Sequence, residues 1–199
     1  MDYREYLTTH KANLTLLTKQ KETAELNVET LVEDLKYLEE SRTTMNNVQL
    51  ATQITLSEYI ESVVAKALQV VFGDSFGFKV EYSIKRNQSE ARLYIVEQGE
   101  LFDPNDECGV GALDVAGTAL RMALWVLPDE RTQNVMILDE PGTAVSKDLL
   151  PKFGQMLKEC SELLQLQIIM ISHDDVLIDV ADKAFRVTKN GKISYVEAL

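Results

Sequence analysis

Along the first 46 residues, apolar side chains recur at intervals of three and four positions, and neither Gly nor Pro is present. This repeat is typical of a coiled-coil strand whose apolar seam occupies heptad positions a and d, although His10, Lys21 and Arg42 interrupt it. It predicts a helix over residues 1–46, roughly 60–70 Å long at ~1.5 Å per residue. An amphipathic helix lying on its own domain is the alternative. The seam residues are Leu7, Leu14, Leu17, Ala24, Val28, Leu31, Leu35, Leu38 and Met45.

Further periodic stretches follow this helix. We expect a break at Asn46-Asn47 and a second helix from Ser57, a suitable N-cap, to Val71, with Gly73 ending it. Alternating apolar and polar residues then predict two strands joined around Asn87-Gln88. The last 15 residues predict another hairpin, with a type I′ turn at Asn190-Gly191.

A second kind of pattern begins at residue 135, where an apolar run ends in two adjacent acids, Asp139 and Glu140, followed by Pro141 and Gly142. A buried strand that ends in acids is typical of nucleotide sites in α/β sheets, where ligands bind beyond the carboxyl ends of the strands. One acid would hold Mg²⁺ through water, and the next would orient and deprotonate an attacking water. An ordinary strand followed by an acidic turn is the alternative.

The residues after this turn predict a helix over 149–166 and a second apolar strand over 167–172, with His173 directly after it. A right-handed crossover places the ends of both strands at the same edge of a parallel sheet. We therefore expect His173 to approach the phosphate that Glu140 serves. A histidine after a strand can also be a surface or capping residue.

Composition narrows the class of protein. With 45% hydrophobic residues among 199, the chain can form a sizeable core, and its net charge of −12 argues against a broad nucleic-acid-binding face. No apolar run is long enough to span a bilayer, and the polar, acidic N-terminus does not resemble a signal peptide. Cys108 and Cys160 lack metal-ligand spacing and predict free thiols in a reducing cytosol.

The motif MILDEP at 136–141, followed by IMISHDD at 169–175, resembles the C-terminal half of an ABC-type ATPase head. The nearest group is that of the SMC, RecF and SbcC DNA-repair ATPases, especially phage-type members, and the resemblance covers residues 100–199. It implies an α/β fold in which this lobe has a parallel sheet, flanking helices and β-hairpins. Residues 1–46 would then be the coiled-coil arm and residues 47–199 the lobe of the head.

The same resemblance implies roles for three residues of these motifs. In such heads the first acid of the Walker B motif, here Asp139, positions Mg²⁺, and the second, Glu140, is the general base. His173 takes the place of the switch histidine that contacts the γ-phosphate. ATP and Mg²⁺ are therefore the implied cofactors.

The signature motif of this group, Ser-Gly-Gly-Glu before a helix, falls on residues 109–112 (GVGA) when the helix is anchored on its Ala-Leu pairs. Gly109 and Gly111 would then close on nucleotide held by an opposing head, because glycines and free N–H groups at a helix start suit phosphate. A Gly-rich turn before a buried helix is the alternative. Ser146, in the loop after Walker B, would bond across the dimer interface, although the group usually has Leu-Asp where this chain has Val145-Ser146.

These 199 residues contain no Walker A loop, since their only Gly-Lys pair, Gly191-Lys192, is followed by Ile193. The resemblance therefore implies the C-terminal lobe of a DNA-repair or recombination ATPase, completed in trans by a Walker A-bearing chain and hydrolysing ATP only with that partner. A nuclease subunit, DNA bound indirectly and a second copy paired through the coiled coil are further implied partners, in the cytoplasm of a bacterial or phage-infected cell. The other class is a non-catalytic, degenerate head that acts as a coiled-coil interaction or regulatory module.

Overall fold

The computed structural model describes residues 3–85, 88–128 and 133–199. Contacts within the chain divide it into two compact units, an N-terminal unit, Met1–Thr52, and a C-terminal unit, Gln53–Leu199. The first helix, α1 (Tyr3–Phe72), contributes residues to both.

The N-terminal unit consists of helix alone. The expected break at Asn46-Asn47 is wrong, because both residues lie inside α1, which contains neither Gly nor Pro to interrupt its hydrogen bonds. Threonine hydroxyls also bond within the helix; for example, Thr43 Oγ1 donates to the Glu39 carbonyl oxygen at 2.9 Å. All side chains described in this unit are exposed except Ser41, which is half-buried.

The C-terminal unit begins within the same helix, so the separate helix predicted from Ser57 is also wrong. Ser57 is not an N-cap, since its hydroxyl donates to the Ile54 carbonyl oxygen at 2.9 Å inside α1. Gly73 does follow the helix end as predicted, with φ of 102°, a conformation that L side chains rarely adopt.

Within the described residues, the remaining elements form three small sheets and three helices. The strands β1, β2 and β3 pair antiparallel, β4 and β5 pair parallel, and β6 and β7 pair antiparallel. The helices are α2 (Val110–Val126), α3 (Leu150–Leu164) and α4 (Asp175–Ile178), and the strands are β1 (Phe76–Lys85), β2 (Gln88–Glu97), β3 (Glu100–Phe102), β4 (Val135–Asp139), β5 (Gln167–Ile171), β6 (Phe185–Asn190) and β7 (Ile193–Ala198).

One hydrophobic core joins the C-terminal turns of α1 to α2, α3 and the first sheet. Its residues lie at helical spacing on the three helices and at every second position on β1, because each element buries one face. The largest fully buried side chains are Phe153, Leu68, Met122, Met156, Leu166, Leu177, Val64, Val71 and Val115.

The predicted strands around residue 87 are present as β1 and β2, whose register runs from Phe76 opposite Glu97 to Lys85 opposite Gln88. Asn87 lies outside the described residues, so the turn placed there stays a prediction. Glu61 of α1 connects the helix to this sheet, because its Oε1 accepts a hydrogen bond from the Val80 backbone N–H at 2.8 Å.

The final hairpin is also present, but its turn differs from the prediction. Asn190 pairs with Ile193, so the two loop residues are Gly191 and Lys192. Of these residues only Gly191 has a positive φ, 63°, whereas a type I′ turn requires positive φ at both loop positions. The type I′ turn at Asn190-Gly191 is therefore wrong, and the loop has the φ pattern of a type II′ turn, with glycine first.

Both cysteines are free thiols, as expected. Cys160 is buried on α3 beside Met156, and burial raises the pKa of its thiol to about 11, because the thiolate is disfavoured in apolar surroundings. Within the described residues, no helix combines the length and apolar character needed to cross a membrane.

Candidate functional site

The strand-helix-strand unit places two predicted site residues side by side. β4 and β5 pair in parallel from Val135 opposite Gln167 to Asp139 opposite Ile171. Parallel neighbours require a crossover, which contains α3, and both carboxyl ends then lie at one edge of the sheet. The predicted adjacency of the two strand ends is confirmed.

Glu140 and His173 meet at this edge. His173 Nδ1 lies 2.7 Å from Glu140 Oε2, and the two side chains are 76% and 39% exposed. The Glu140 backbone N–H donates to the Ile171 carbonyl oxygen at 2.9 Å, which continues the ladder one residue beyond β4. Glu140 also has φ of 48°, a left-handed conformation that costs a non-glycine residue free energy and that clusters at functional sites. Backbone and side chain together fix the position of this carboxylate.

Asp139 is the last residue of β4, and its side chain is exposed next to Glu140. Mg²⁺ takes oxygen ligands and is usually held by one or two carboxylates together with substrate phosphates and water. An exposed carboxylate at a strand end fits this arrangement. Across the described ranges, no group of three or more His, Cys, Asp or Glu could hold a metal. The donor set therefore suits a metal shared with phosphate rather than one enclosed by protein.

Gly142 explains the shape of the turn after these acids. It is buried, has φ of 79°, and a Cβ atom placed there would lie 2.7 Å from Phe153 Cε1. Only glycine combines this φ with so close an approach of the backbone to the ring. The turn is thus packed directly on α3.

The second group of predicted site residues lies at the start of α2. Gly109 is the N-cap, in an extended conformation, and its missing side chain has open space around it. Gly111 lies in the first turn, where a Cβ atom would meet the Ala144 carbonyl oxygen at 3.1 Å. The close approach of the loop after β4 therefore explains why residue 111 is glycine. It does not explain the glycine at 109, where a side chain would have room.

A residue that sequence reasoning missed holds the same loop. The Ala144 backbone N–H donates to Asp114 Oδ2 at 3.2 Å, so this carboxylate connects α2 to the loop that follows the Walker B-like strand. The available signal was an acid one turn after Gly111 on a largely apolar helix. Its partner is a backbone group 30 residues away, which no side-chain pattern indicates.

Ser146 has its own bonding within the chain. Its hydroxyl hydrogen-bonds the Asp148 carboxylate and thereby lowers the pKa of Asp148 below its ordinary value. Its carbonyl oxygen accepts from the backbone N–H groups of Leu149 and Leu150, each at 3.0 Å. Ser146 therefore begins the turn into α3, and its bond across a dimer interface stays a prediction.

A cleft of about 1050 Å³ runs along β4 and α2, and Asp139 and Glu140 line one end of it. The α2 side includes Asp114, Thr118, Arg121 and Trp125. Gly109, Gly111, Ser146 and His173 are not among its lining residues.

The sheet of β4 and β5 is covered on one face only. Leu138 is buried, whereas Ile137, Ile169 and Ile171 are 68%, 47% and 57% exposed. The expected buried strand that ends in acids is therefore buried on one side only, at Leu138, while alternate side chains of β4 and β5 form an open apolar face.

No family model matches the sequence. It is 29% identical over 129 residues to the DNA double-strand break repair Rad50 ATPase of Archaeoglobus fulgidus. The matched region is 63% of this chain and 14% of that protein, so the chain spans about a seventh of the length of its relative.

Solved structures decide the fold. A chain from a study of ATP-driven dimerization and DNA-stimulated activation of SMC ATPases superposes with a TM-score of 0.58 at 18% identity, over 77% of this chain and 88% of that one. A second match is an Smc head domain with an extended coiled coil, derived from Pyrococcus furiosus and bound to the C-terminal domain of ScpA. Its TM-score is 0.60 at 17% identity, over 98% of this chain and 46% of that one. The chain has the fold of an SMC ATPase head. The chain is thus similar in sequence to a Rad50 ATPase and in fold to SMC heads, and the predicted α/β fold with a long N-terminal helix is confirmed.

Proposed function

We propose that this chain is the C-terminal lobe of an SMC-like DNA-repair or recombination ATPase, completed in trans by a Walker A-bearing lobe. The observation that carries the proposal is the contact of Glu140 with His173 at 2.7 Å, beyond the ends of two adjacent parallel strands. Ligands of open α/β sheets bind at such strand ends.

Each residue of the site would have a separate task. Asp139 would hold Mg²⁺ of the bound nucleotide, and the metal would neutralise charge on the phosphates. Glu140 would accept a proton from the attacking water, and its contact with His173 would keep the carboxylate oriented while the histidine faces the terminal phosphate. Gly109, Gly111 and Ser146 would face nucleotide held by a second head.

The open apolar face of β4 and β5 supports completion by another lobe. Parallel sheets are normally covered on both faces and contain more than two strands, whereas Ile137, Ile169 and Ile171 are exposed on a two-stranded sheet. A Walker A-bearing lobe that added strands at the edges and covered this face would also bring phosphate-binding N–H groups to Asp139 and Glu140. Such a lobe would complete both the sheet and the site.

The relatives suggest the wider assembly. ATP-driven dimerization is described for SMC ATPases, and a head of this fold binds the C-terminal domain of ScpA. For this chain we propose ATP-dependent pairing of two completed heads, with DNA, a nuclease subunit or another chain bound by the assembly rather than by this acidic lobe alone.

Glu140→Gln and Asp139→Asn in the complex with a Walker A-bearing lobe test the proposal. Glu140→Gln keeps the shape but cannot accept a proton, so ATP turnover should fall roughly 10²-fold or more while nucleotide binding persists. Asp139→Asn should instead weaken Mg-ATP binding itself, because the charged oxygen ligand is lost. Steady-state hydrolysis and filter binding of labelled ATP separate the two effects. Glu162→Gln, an exposed acid on α3, is the matched control and should change neither quantity.

Two results would contradict this function. Unchanged turnover of Glu140→Gln in a complex that hydrolyses ATP would show that this acid is not the base. Micromolar binding of Mg-ATP to the isolated chain, measured by calorimetry, would remove the need for a lobe supplied in trans. A complex that forms but never hydrolyses ATP would favour the non-catalytic interaction module.

A further inference from the structure

The exposed seam of the N-terminal unit is interrupted by two cations at a fixed spacing. Lys21 and Arg42 both occupy heptad position a and are 21 residues apart, which is about 31 Å at ~1.5 Å per residue. Between them lie five uninterrupted apolar seam positions, all on the helix α1. These are Ala24, Val28, Leu31, Leu35 and Leu38.

The apolar part of this seam is open to solvent, so it requires a covering helix. Leu14, Val28 and Leu31 are 67%, 59% and 61% exposed, and the other seam leucines are between 41% and 62% exposed. A helix that covered them would also cover Lys21 and Arg42, whose charges lose water at that moment. A cation in such a seam is tolerated when the facing helix supplies an opposite charge, and it then selects register and partner.

The acid beside Lys21 does not neutralise this seam position. Lys21 contacts Glu25 at 3.5 Å, but Glu25 lies at flanking position e, and the two side chains are 74% and 65% exposed. An exposed pair within one helix contributes little and leaves the ammonium largely hydrated. The flanking acid therefore does not replace a charge on the facing helix.

A second copy of this helix cannot supply that charge either. In a parallel pair, each a position meets its own counterpart, so Lys21 would face Lys21 and Arg42 would face Arg42. In an antiparallel pair, position a meets position d, and no d residue of this helix is acidic. The d residues are Tyr3, His10, Leu17, Ala24, Leu31, Leu38, Met45 and Thr52.

We propose that the N-terminal helix pairs with a different helix, which carries two carboxylates at seam positions 21 residues apart, one facing Lys21 and the other Arg42. The spacing is the same for a parallel and an antiparallel partner, because each cation occupies the same heptad position. The proposal rests on the proposed function in one respect, the coiled-coil arm that an SMC-like head implies for residues 1–46, but its readout needs neither nucleotide nor the Walker A-bearing lobe.

Two synthetic helical peptides of about six heptads test this pairing against the full-length chain. Both have a leucine seam; the acidic peptide has Glu at two seam positions 21 residues apart, and the basic peptide has Lys there. Fluorescence anisotropy should show the acidic peptide binding at least about tenfold more tightly at low salt. The preference should reverse for the double variant Lys21→Glu, Arg42→Glu.

The double variant Lys19→Glu, Lys36→Glu is the matched control, because it makes the same change in net charge at positions f and b outside the seam. It should keep the preference of the unchanged chain. Equal affinity for the two peptides, failure of both to bind, or reversal by the control variant would each overturn the proposal. Loss of ATP turnover in the completed complex would leave these results unaltered, so the two proposals fail separately.

Discussion

At the scale of single residues, the turn after β4 is defined by backbone conformation. Glu140 and Gly142 both have positive φ, 48° and 79°, within three positions of each other. Glu140 adopts this conformation with a full side chain, which contacts His173. At position 142 the residue is glycine, which adopts a positive φ without strain and lets the backbone lie against Phe153. The carboxylate is held by a turn that few sequences can form.

Gly142→Ala should therefore destabilise the chain strongly. The added methyl group combines an unfavourable φ with a contact of 2.7 Å to the Phe153 ring, and we expect a loss of about 2–4 kcal/mol. Gly117→Ala is the control, since Gly117 lies in the interior of α2 with open space around a Cβ; it should be neutral or stabilising by up to ~1 kcal/mol. Urea unfolding measures both. Equal free energies of unfolding for the two variants would contradict the structure of the turn.

Sequence reasoning reached some of these residues and not others. Asp139, Glu140 and His173 were predictable because apolar runs mark strand ends, and parallel strands bring their ends together. Asp114 was not predictable, because its partner is the backbone N–H of Ala144 rather than a side chain. The contact that requires glycine at 111 was not predictable for the same reason, because it involves a backbone carbonyl oxygen of a loop that is distant in sequence.

At the scale of elements, the sheet of β4 and β5, which is covered on one face only, has the largest consequence for partner binding. Its two faces contain side chains of similar chemistry, but Leu138 packs against the core and its neighbour Ile137 does not. The difference lies in what covers each face, which the apolar run 135–138 alone cannot indicate.

Paired substitutions test this asymmetry. Leu138→Ala should lower the free energy of unfolding by about 2–4 kcal/mol, because it leaves a cavity in the core. Ile137→Thr keeps a β-branched residue on the exposed face and should change stability by less than ~0.5 kcal/mol in the isolated chain. In pull-down assays, the same Ile137→Thr should weaken binding of a Walker A-bearing lobe. Large destabilisation of the isolated chain by Ile137→Thr would show that this face is already covered.

The helices show where periodicity succeeds and fails. Apolar spacing predicted α3 to within two residues at each end. The predicted break at Asn46-Asn47 failed because asparagine costs only roughly 0.5 kcal/mol in a helix. The neighbouring turns of α1 are free of Gly and Pro and continue the helix through these positions.

At the scale of the whole molecule, the two units differ in what stabilises them. The N-terminal unit has exposed side chains along almost its entire length, whereas the C-terminal unit contains the core residues of α1, from Ile60 to Val71. The predicted division at residue 46 and the observed one after Thr52 both leave those core residues in the second unit.

Deleting residues 1–45 should accordingly leave a folded C-terminal unit. We expect the free energy of unfolding to change by less than about 1 kcal/mol, because none of the described residues that the deletion removes is buried. Association through the heptad seam, with the acidic peptide or with any second chain, should be lost. Urea unfolding and analytical ultracentrifugation measure the two properties. A shortened chain that no longer unfolds cooperatively, or that still binds the acidic peptide, would contradict this separation.

The open face of β4 and β5 also has a consequence for the amount of this protein in a cell. Under the proposed function, the chain exposes apolar surface until its second lobe arrives, so the second lobe stabilises it by mass action. Copies of the chain that are synthesised in excess of the second lobe would keep this surface exposed, and chaperones and proteases would act on them. The steady-state level of one polypeptide would then follow the synthesis of the other, and matched production becomes a requirement of the fold.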